Sequence, residues 1–402
     1  MIQALVADAH TWSGRVTLLL AGPPDAHRRS RTVRARRPVQ FYFYDAARAC
    51  DQAGRTQQET SQQVQIFSSF TLSRRRIAHS YNQNMSSAQP QRTNRALAGY
   101  AAAVLGFMIL VILWGAVVRA TGSGAGCGDR WPLCNGDFFP HHPRIATVIE
   151  FTHRSMSGIC TVLVAALIAW TFVARQRGDR ARKGAVWSGV LLITEALLGA
   201  VLVLGGYVDR NTSDMRVLVQ CVHFTNTMLL LGALTLTWWW LRGRPYAAGS
   251  WVRARTLALV TVGLTILTGA SGSVAALADT LFPSPSLRDG LAQDFAANAP
   301  LLVRMRWLHP AAAVLAFVAA IVLCRHLSRS GARWIGGLLL LQIALGVADM
   351  VALAPVQLQV LHLLGADLFW IALVASCSEL IFADRAVHAV AEPAFISSAQ
   401  HP

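Results

Sequence analysis

The chain has 402 residues, 54% of them hydrophobic and only 14% charged, with a mean hydropathy of +0.41; it is far more apolar than an average soluble domain, so a bilayer is the expected solvent. The formal net charge of +16 would suit a nucleic-acid binder, but beyond residue 95 the cations concentrate in alternate loops between apolar runs, the distribution that membrane topology demands. No nucleic-acid partner is expected.

Residues 1–95 are polar and arginine-rich, with the runs AHRRSRTVRARRP and TLSRRRIAHSYNQN. They hold no spanning segment and no signal-peptide order of basic, apolar and small residues, and read as disordered. A start of translation at Met85, or a dispensable extension, accounts for them better than an organelle-targeting peptide. Membrane helices are predicted at 97–118, 148–173, 185–207, 216–241, 256–278, 302–324, 334–352 and 358–382, followed by a disordered tail at 386–402. The loops RQRGDRARK, RGRPYAAGSWVRAR and RHLSRSGAR and the segment DRAVHAV carry the cation excess and are assigned to the cytoplasm together with both termini. The loops with Cys127, Asp209, Asp289 and Pro355 then face outward, across a bacterial inner (plasma) membrane.

The two halves echo each other. LLITEALLGAVLVLGG in the third helix matches LLLLQIALGVADMVALAP in the seventh, and VLVQCVHFTNTMLLLGALTL in the fourth matches PVQLQVLHLLGADLFWIALV in the eighth. The fold class read from this is all-α integral membrane, with eight helices in two tandem four-helix bundles, 96–242 and 243–385, related by pseudo-twofold symmetry.

His153, His223, His309 and His362 lie on helices 2, 4, 6 and 8, each within roughly two turns of the outward end, or about 10 Å deep. Taken singly, an intramembrane histidine is more often a helix–helix hydrogen bonder than a ligand; four at equivalent positions of a repeat favour ligands. Imidazole is the usual axial ligand of heme iron, and a four-helix bundle can present one from each of two facing helices. This pairs His153 with His223 and His309 with His362. Glu150 stands three residues before His153 in IEFTHR, on the same helix face, where the second half has Arg306 before His309; a first-turn acidic residue is its bland alternative, but ionisable groups at membrane depth are costly. Arg119, Arg154, Arg216, Arg304 and Arg306 are candidate partners for heme propionates, with snorkelling anchors as the alternative. Of the seven cysteines, Cys160, Cys221, Cys324 and Cys377 sit in apolar runs as small packing residues, leaving Cys127 and Cys134 in one loop to explain.

The loop RATGSGAGCGDRWPLCNG followed by IEFTHRSMSG resembles the heme A synthase family of bacteria and mitochondria, and the likeness runs from about Gly106 to the end of the eighth helix. It implies that His153 and His223 flank substrate heme O, that Glu150 assists the oxidation, and that His309 and His362 ligate a resident heme b. It also implies a disulfide between Cys127 and Cys134, as in the family's cysteine-containing branch, chemically reasonable on an outward loop. The long N-terminal extension and the inserted Arg130 depart from the family pattern. The implied reaction takes the C8 methyl group of heme O through an alcohol to the formyl group of heme A, with heme O synthase as supplier and a heme-copper terminal oxidase as destination. Membrane lipid is an expected partner, and a homo-oligomer is left open. A non-enzymatic di-heme b-type electron carrier is the main alternative; a transporter is the third.

Overall fold

A computed structural model describes residues 16–17, 32–33, 94–243 and 252–382. The expected disorder of the two terminal regions and the alternative start at Met85 lie outside these residues, apart from one antiparallel pairing of Val16–Thr17 with Thr32–Val33 in the unit Met1–Gln89.

Pro90–Pro402 is a second compact unit. Among its described residues eight helical segments are long and apolar enough to cross a membrane, so this is a multi-pass membrane protein. They are α1 (Arg95–Ala120), α2 (Ile145–Ala174), α3 (Arg180–Leu204), α4 (Asp214–Leu241), α5 (Val252–Leu281), α6 (Leu308–Cys324, preceded by the turn Leu301–Arg304), α7 (Arg329–Val351) and α8 (Val356–Ile381). Each exceeds or approaches the roughly 20 residues needed to cross hydrocarbon.

Side-chain caps start several helices: Asn94 accepts from Leu97 N–H, Ser213 from Arg216 N–H and Ser328 from Gly331 N–H, satisfying donors that have no partner inside the helix. The third span begins at Arg180 rather than 185 because the Asp179 carboxylate caps Ala181 N–H at 2.8 Å. It ends at Leu204 rather than 207 because Gly206 adopts φ +66°, and Tyr207 N–H turns back to Leu202 C=O at 2.8 Å. The end of α7 repeats this turn: Leu353 has φ +63° and Ala354 N–H bonds Asp349 C=O at 2.8 Å. Pro310 has no N–H to give Arg306 C=O and its ring crowds that carbonyl, so the sixth span is interrupted at 305–307 and His309 falls in the first turn of α6. The nine-residue helix Leu287–Phe295, capped by Ser286, was not foreseen in the loop after α5.

α1 packs on α2 and α4, and α3 also packs on both; α5 packs on α6 and α8, and α7 also packs on both. Contacts of α4 with α5 and α8, and of α1 with α5 and α8, join the two groups. One continuous core runs through them, including Leu97, Leu167, Leu231, Leu323, Ile335 and Leu373. Lipid tails are as apolar as leucine, so close packing and internal hydrogen bonds hold such helices together. Trp370 provides both: it lies against Gly232, and its indole N–H donates to Met228 C=O at 2.8 Å.

Candidate functional site

Cys127 and Cys134 form a disulfide, with Cα atoms 4.4 Å apart. It closes the loop between α1 and α2, and defines one end of the bundle. Glu150, buried at 3% exposure, fastens this loop to α2. Its Oε2 accepts Cys127 N–H at 2.7 Å and its Oε1 accepts Arg154 Nη2 at 2.6 Å. Arg154 donates further to Arg130 C=O at 3.1 Å and Leu133 C=O at 2.7 Å. Arg130 thus contributes its backbone carbonyl to the clamp.

Each of the four histidines is half-buried, and each lies over a glycine of the preceding helix. A Cβ at Gly115 on α1 would stand 3.0 Å from His153 Cε1, and one at Gly199 on α3 would stand 3.8 Å from His223 Cε1. The corresponding distances are 2.9 Å for Gly272 on α5 and His309, and 3.2 Å for Gly346 on α7 and His362. Removing the side chain lets the imidazole approach the neighbouring backbone. His309 and His362 face each other with ring centroids 6.3 Å apart and planes at 85°. His309 Nδ1 lies 3.0 Å from Thr268 C=O. A carbonyl only accepts, so Nδ1 carries the proton and Nε2 keeps its lone pair. The Nδ1 atoms of His153, His223 and His362 are buried without a hydrogen-bond partner.

Four of the five candidate arginines are engaged by the protein itself. Arg119 bridges to Ala276 C=O, Thr280 Oγ1 and Gln359 Oε1, each at 2.7 Å. Arg216 holds Asp209 C=O at 2.6 Å and Asn211 C=O at 2.7 Å. Arg306 pairs with Asp294 at 2.7 Å and Asp279 at 3.0 Å, and Arg154 is in the Glu150 clamp. Arg304 is exposed.

A family model described as cytochrome oxidase assembly protein, COX15-CtaA, matches residues 98–374, a span that contains all four histidines, Glu150 and the disulfide. The chain belongs to this family. Among curated relatives, a Thermus thermophilus protein named protoheme IX farnesyltransferase is 43% identical over 290 residues, covering 69% of this chain and 47% of the relative. Heme A synthases from Bacillus licheniformis and Exiguobacterium sibiricum are 38% and 34% identical over 143 residues, each match covering 36% of this chain and 44% and 46% of the relatives. The chain thus spans less than half the length of these curated relatives.

One carboxylate near a histidine was missed by the sequence reading. Glu195 on α3 places Oε1 3.6 Å from His223 Nδ1, accepts Asn226 Nδ2 at 2.7 Å on Oε2, and is also bonded by Thr227 Oγ1. The matched stretches LLITEALLG and LLLLQIALG already held the signal: an acidic residue within an apolar run where the other stretch has Gln342.

Proposed function

We propose that this protein is a heme A synthase, oxidising the C8 methyl group of heme O to the formyl group of heme A for heme-copper terminal oxidases. The observation that carries the reading is the facing of His309 and His362 at 6.3 Å in a chain of the cytochrome oxidase assembly family. Two imidazoles facing each other from separate helices are the donor set that would hold heme b iron. His309 also has the tautomer a ligand needs: its Nδ1 proton is spent on Thr268, and Nε2 is available.

When bound there, heme b supplies one-electron transfer. The chain's own residues do the rest. His153 and His223, each seated on a glycine, are proposed to flank substrate heme O in the half 96–242, with the resident heme in the half 243–385. The recurrence of the histidine–glycine seats and of the α3 and α7 terminal turns supports reading these halves as a pseudo-twofold pair of four-helix bundles. Glu150 is proposed as the catalytic carboxylate, holding charge or a proton beside His153 while its contacts to Cys127 and Arg154 keep the loop over the site. Arg304, exposed among the five candidate arginines, is the one free to meet a propionate without giving up a bond described above. Apolar helix faces can take up the farnesyl tail of heme O from the bilayer.

The disulfide supports an outward, oxidising location for its end of the bundle, and the cation-rich connections at the opposite end support cytoplasmic termini in a plasma membrane. Heme O synthase is the proposed supplier. The Thermus relative fits that partnership: it is named protoheme IX farnesyltransferase, and more than half of it lies outside the match. A homo-oligomer is compatible with the lipid-facing helices. The test is aerobic incubation of the purified protein with heme O and a reductant, followed by heme extraction. Heme A, or the alcohol followed by heme A, is expected; unchanged heme O on a protein that retains two hemes would make it an electron carrier instead.

A further inference from the structure

We infer that Glu195 is a positioning residue for His223, an anionic partner for its Nδ1–H that makes this histidine a more strongly donating ligand than its counterpart His362. The inference rests on the proposal that His153 and His223 hold a heme. Ligating histidines characteristically donate their second ring N–H to a carboxylate or carbonyl, which fixes the tautomer and raises ligand basicity. His223 Nδ1 is buried and makes no hydrogen bond, and its near neighbour is Glu195 Oε1 at 3.6 Å.

The carboxylate is held toward the ring by residues one turn beyond it. Asn226 Nδ2 donates to Oε2 at 2.7 Å and to Leu191 C=O at 2.9 Å, while Asn226 Oδ1 accepts from Thr194 at 2.8 Å. Thr227 Oγ1 donates to Oε1. Gly199, four residues after Glu195, faces the same ring, and a Cβ there would make ordinary contact at 3.8 Å from His223 Cε1. Glu195 and Gly199 thus present a charge and a bare backbone to one imidazole.

The matched helices of the other half lack every part of this device except the glycine. Aligning LLITEALLG with LLLLQIALG, and VHFTN with LHLLG, sets Gln342 against Glu195, Gly346 against Gly199, Gly365 against Asn226 and Ala366 against Thr227. The Gln342 amide packs against Gly365 and donates to His362 C=O at 3.1 Å, so it offers His362 Nδ1 no charge. Helices that pack without the Glu–Asn–Thr network in one half do not require it for packing in the other. A purely adhesive role, the common use of polar groups between membrane helices, leaves unexplained why a charge is kept where a neutral amide serves.

The test uses the full-length protein in detergent, loaded with hemin and followed by spectroelectrochemical titration of both hemes. Glu195→Gln removes the charge at nearly unchanged size; its one amide oxygen can accept from Asn226 while its NH2 donates to the Thr227 hydroxyl. It should retain hemin while raising the midpoint potential of the His153/His223 heme, leaving the His309/His362 heme unmoved. A tenfold change in the ferric-to-ferrous binding ratio, the lower end of measured outer-shell effects, is about 59 mV for one electron. Gln342→Glu should lower the potential of the other heme, and it decides the matter alone should Glu195→Gln not accumulate. Unchanged potentials in a hemin-loaded variant overturn the inference. Failure of the heme reading is seen earlier and separately: the unmodified protein would take up a single heme that His153→Ala and His223→Ala leave intact, and the inference falls with it.

Discussion

The backbone N–H of Cys127 donates to Oε2 of Glu150 at 2.7 Å, so the carboxylate one turn before His153 is also the anchor of the disulfide loop. Because the other oxygen is held by Arg154 at 2.6 Å, any proton or charge that Glu150 contributes to chemistry is coupled to the position of that loop. The loop anchor and the proposed catalytic carboxylate are one side chain, and a substitution has to separate the two roles.

Glu150→Gln does so. The amide oxygen can still accept from Cys127, but the charge facing Arg154 is lost. With a catalytic Glu150, heme A formation falls by about 10²–10⁴-fold, the usual contribution of a positioned acid or base, while membrane insertion and the heme at His309 and His362 persist. Extracted hemes should then be enriched in heme O or the alcohol. Formation of heme A at the unmodified rate would leave Glu150 as a loop anchor alone.

Replacing Cys127 and Cys134 together by Ser opens a loop of sequence separation 7, worth roughly 2–3 kcal/mol of loop stability by chain entropy. The Glu150 and Arg154 bonds remain, so the loop should loosen rather than detach. Limited proteolysis should cut between Thr121 and Arg144 faster in the variant, and in the unmodified protein after reduction. Equal cleavage rates would mean that the Glu150 clamp holds the loop by itself.

Arg119 crosses between the two groups of helices, from α1 to α5 and α8. Arg119→Ala removes three hydrogen bonds and leaves Gln359 Oε1 without its donor, while Ala276 C=O keeps the Thr280 hydroxyl at 2.9 Å, at a cost of about 2–4 kcal/mol. A lowered melting temperature in detergent is expected, with Arg119→Lys intermediate because an ammonium cannot reach all three acceptors in the fork geometry of a guanidinium. Loss of heme at an unchanged melting temperature would point instead to a propionate contact.

The orientation is open to a direct check. A reporter inserted at Gly178, in the connection between α2 and α3, should behave as cytoplasmic, and one at Asp137 as external. The reverse pattern would invert the assignment drawn from the cations of that connection.

Much of this architecture was legible because membrane spans obey a simple length and polarity rule, and because the repeat made the four histidines stand out together. The glycine seats were equally present in the text, in GAVVRA, LLGAV, SGSV and ALGV, but a glycine in a membrane helix has many uses, and only the neighbouring ring shows which applies. Glu195 was hidden for a related reason: its partner lies 28 residues away on another helix, a separation no local spacing rule reports. The arginines posed the opposite difficulty. Proximity to the outward ends was readable, but Arg216 and Arg306 find carbonyls and carboxylates in loops whose course the sequence does not define, including the helix Leu287–Phe295. The break before His309 could have been read from Pro310, since a proline there denies Arg306 its helical partner.

The facing pair on α6 and α8 gives the most demanding prediction. His309→Ala and His362→Ala should each abolish the low-spin bis-histidine spectrum expected of heme b. A retained spectrum in the double variant would place the resident heme elsewhere. The glycine seat supplies a subtler probe that leaves both ligands in place. A methyl group at Gly272 would stand 2.9 Å from His309 Cε1 and 3.0 Å from Nδ1, closer than packed atoms tolerate, so the ring must rotate or α6 must shift. Either response strains the bond from Nδ1 to Thr268 C=O, which fixes the tautomer and aims Nε2. Gly272→Ala should therefore keep the protein in the membrane yet weaken heme b binding by about 10–100-fold, the range typical when a ligand's supporting contact is lost. Gly263→Ala on the same helix, where an added Cβ meets nothing within 4 Å, is the matched control and should bind heme b normally. If both variants behave alike, the close approach of Gly272 to His309 serves helix packing and not the ligand.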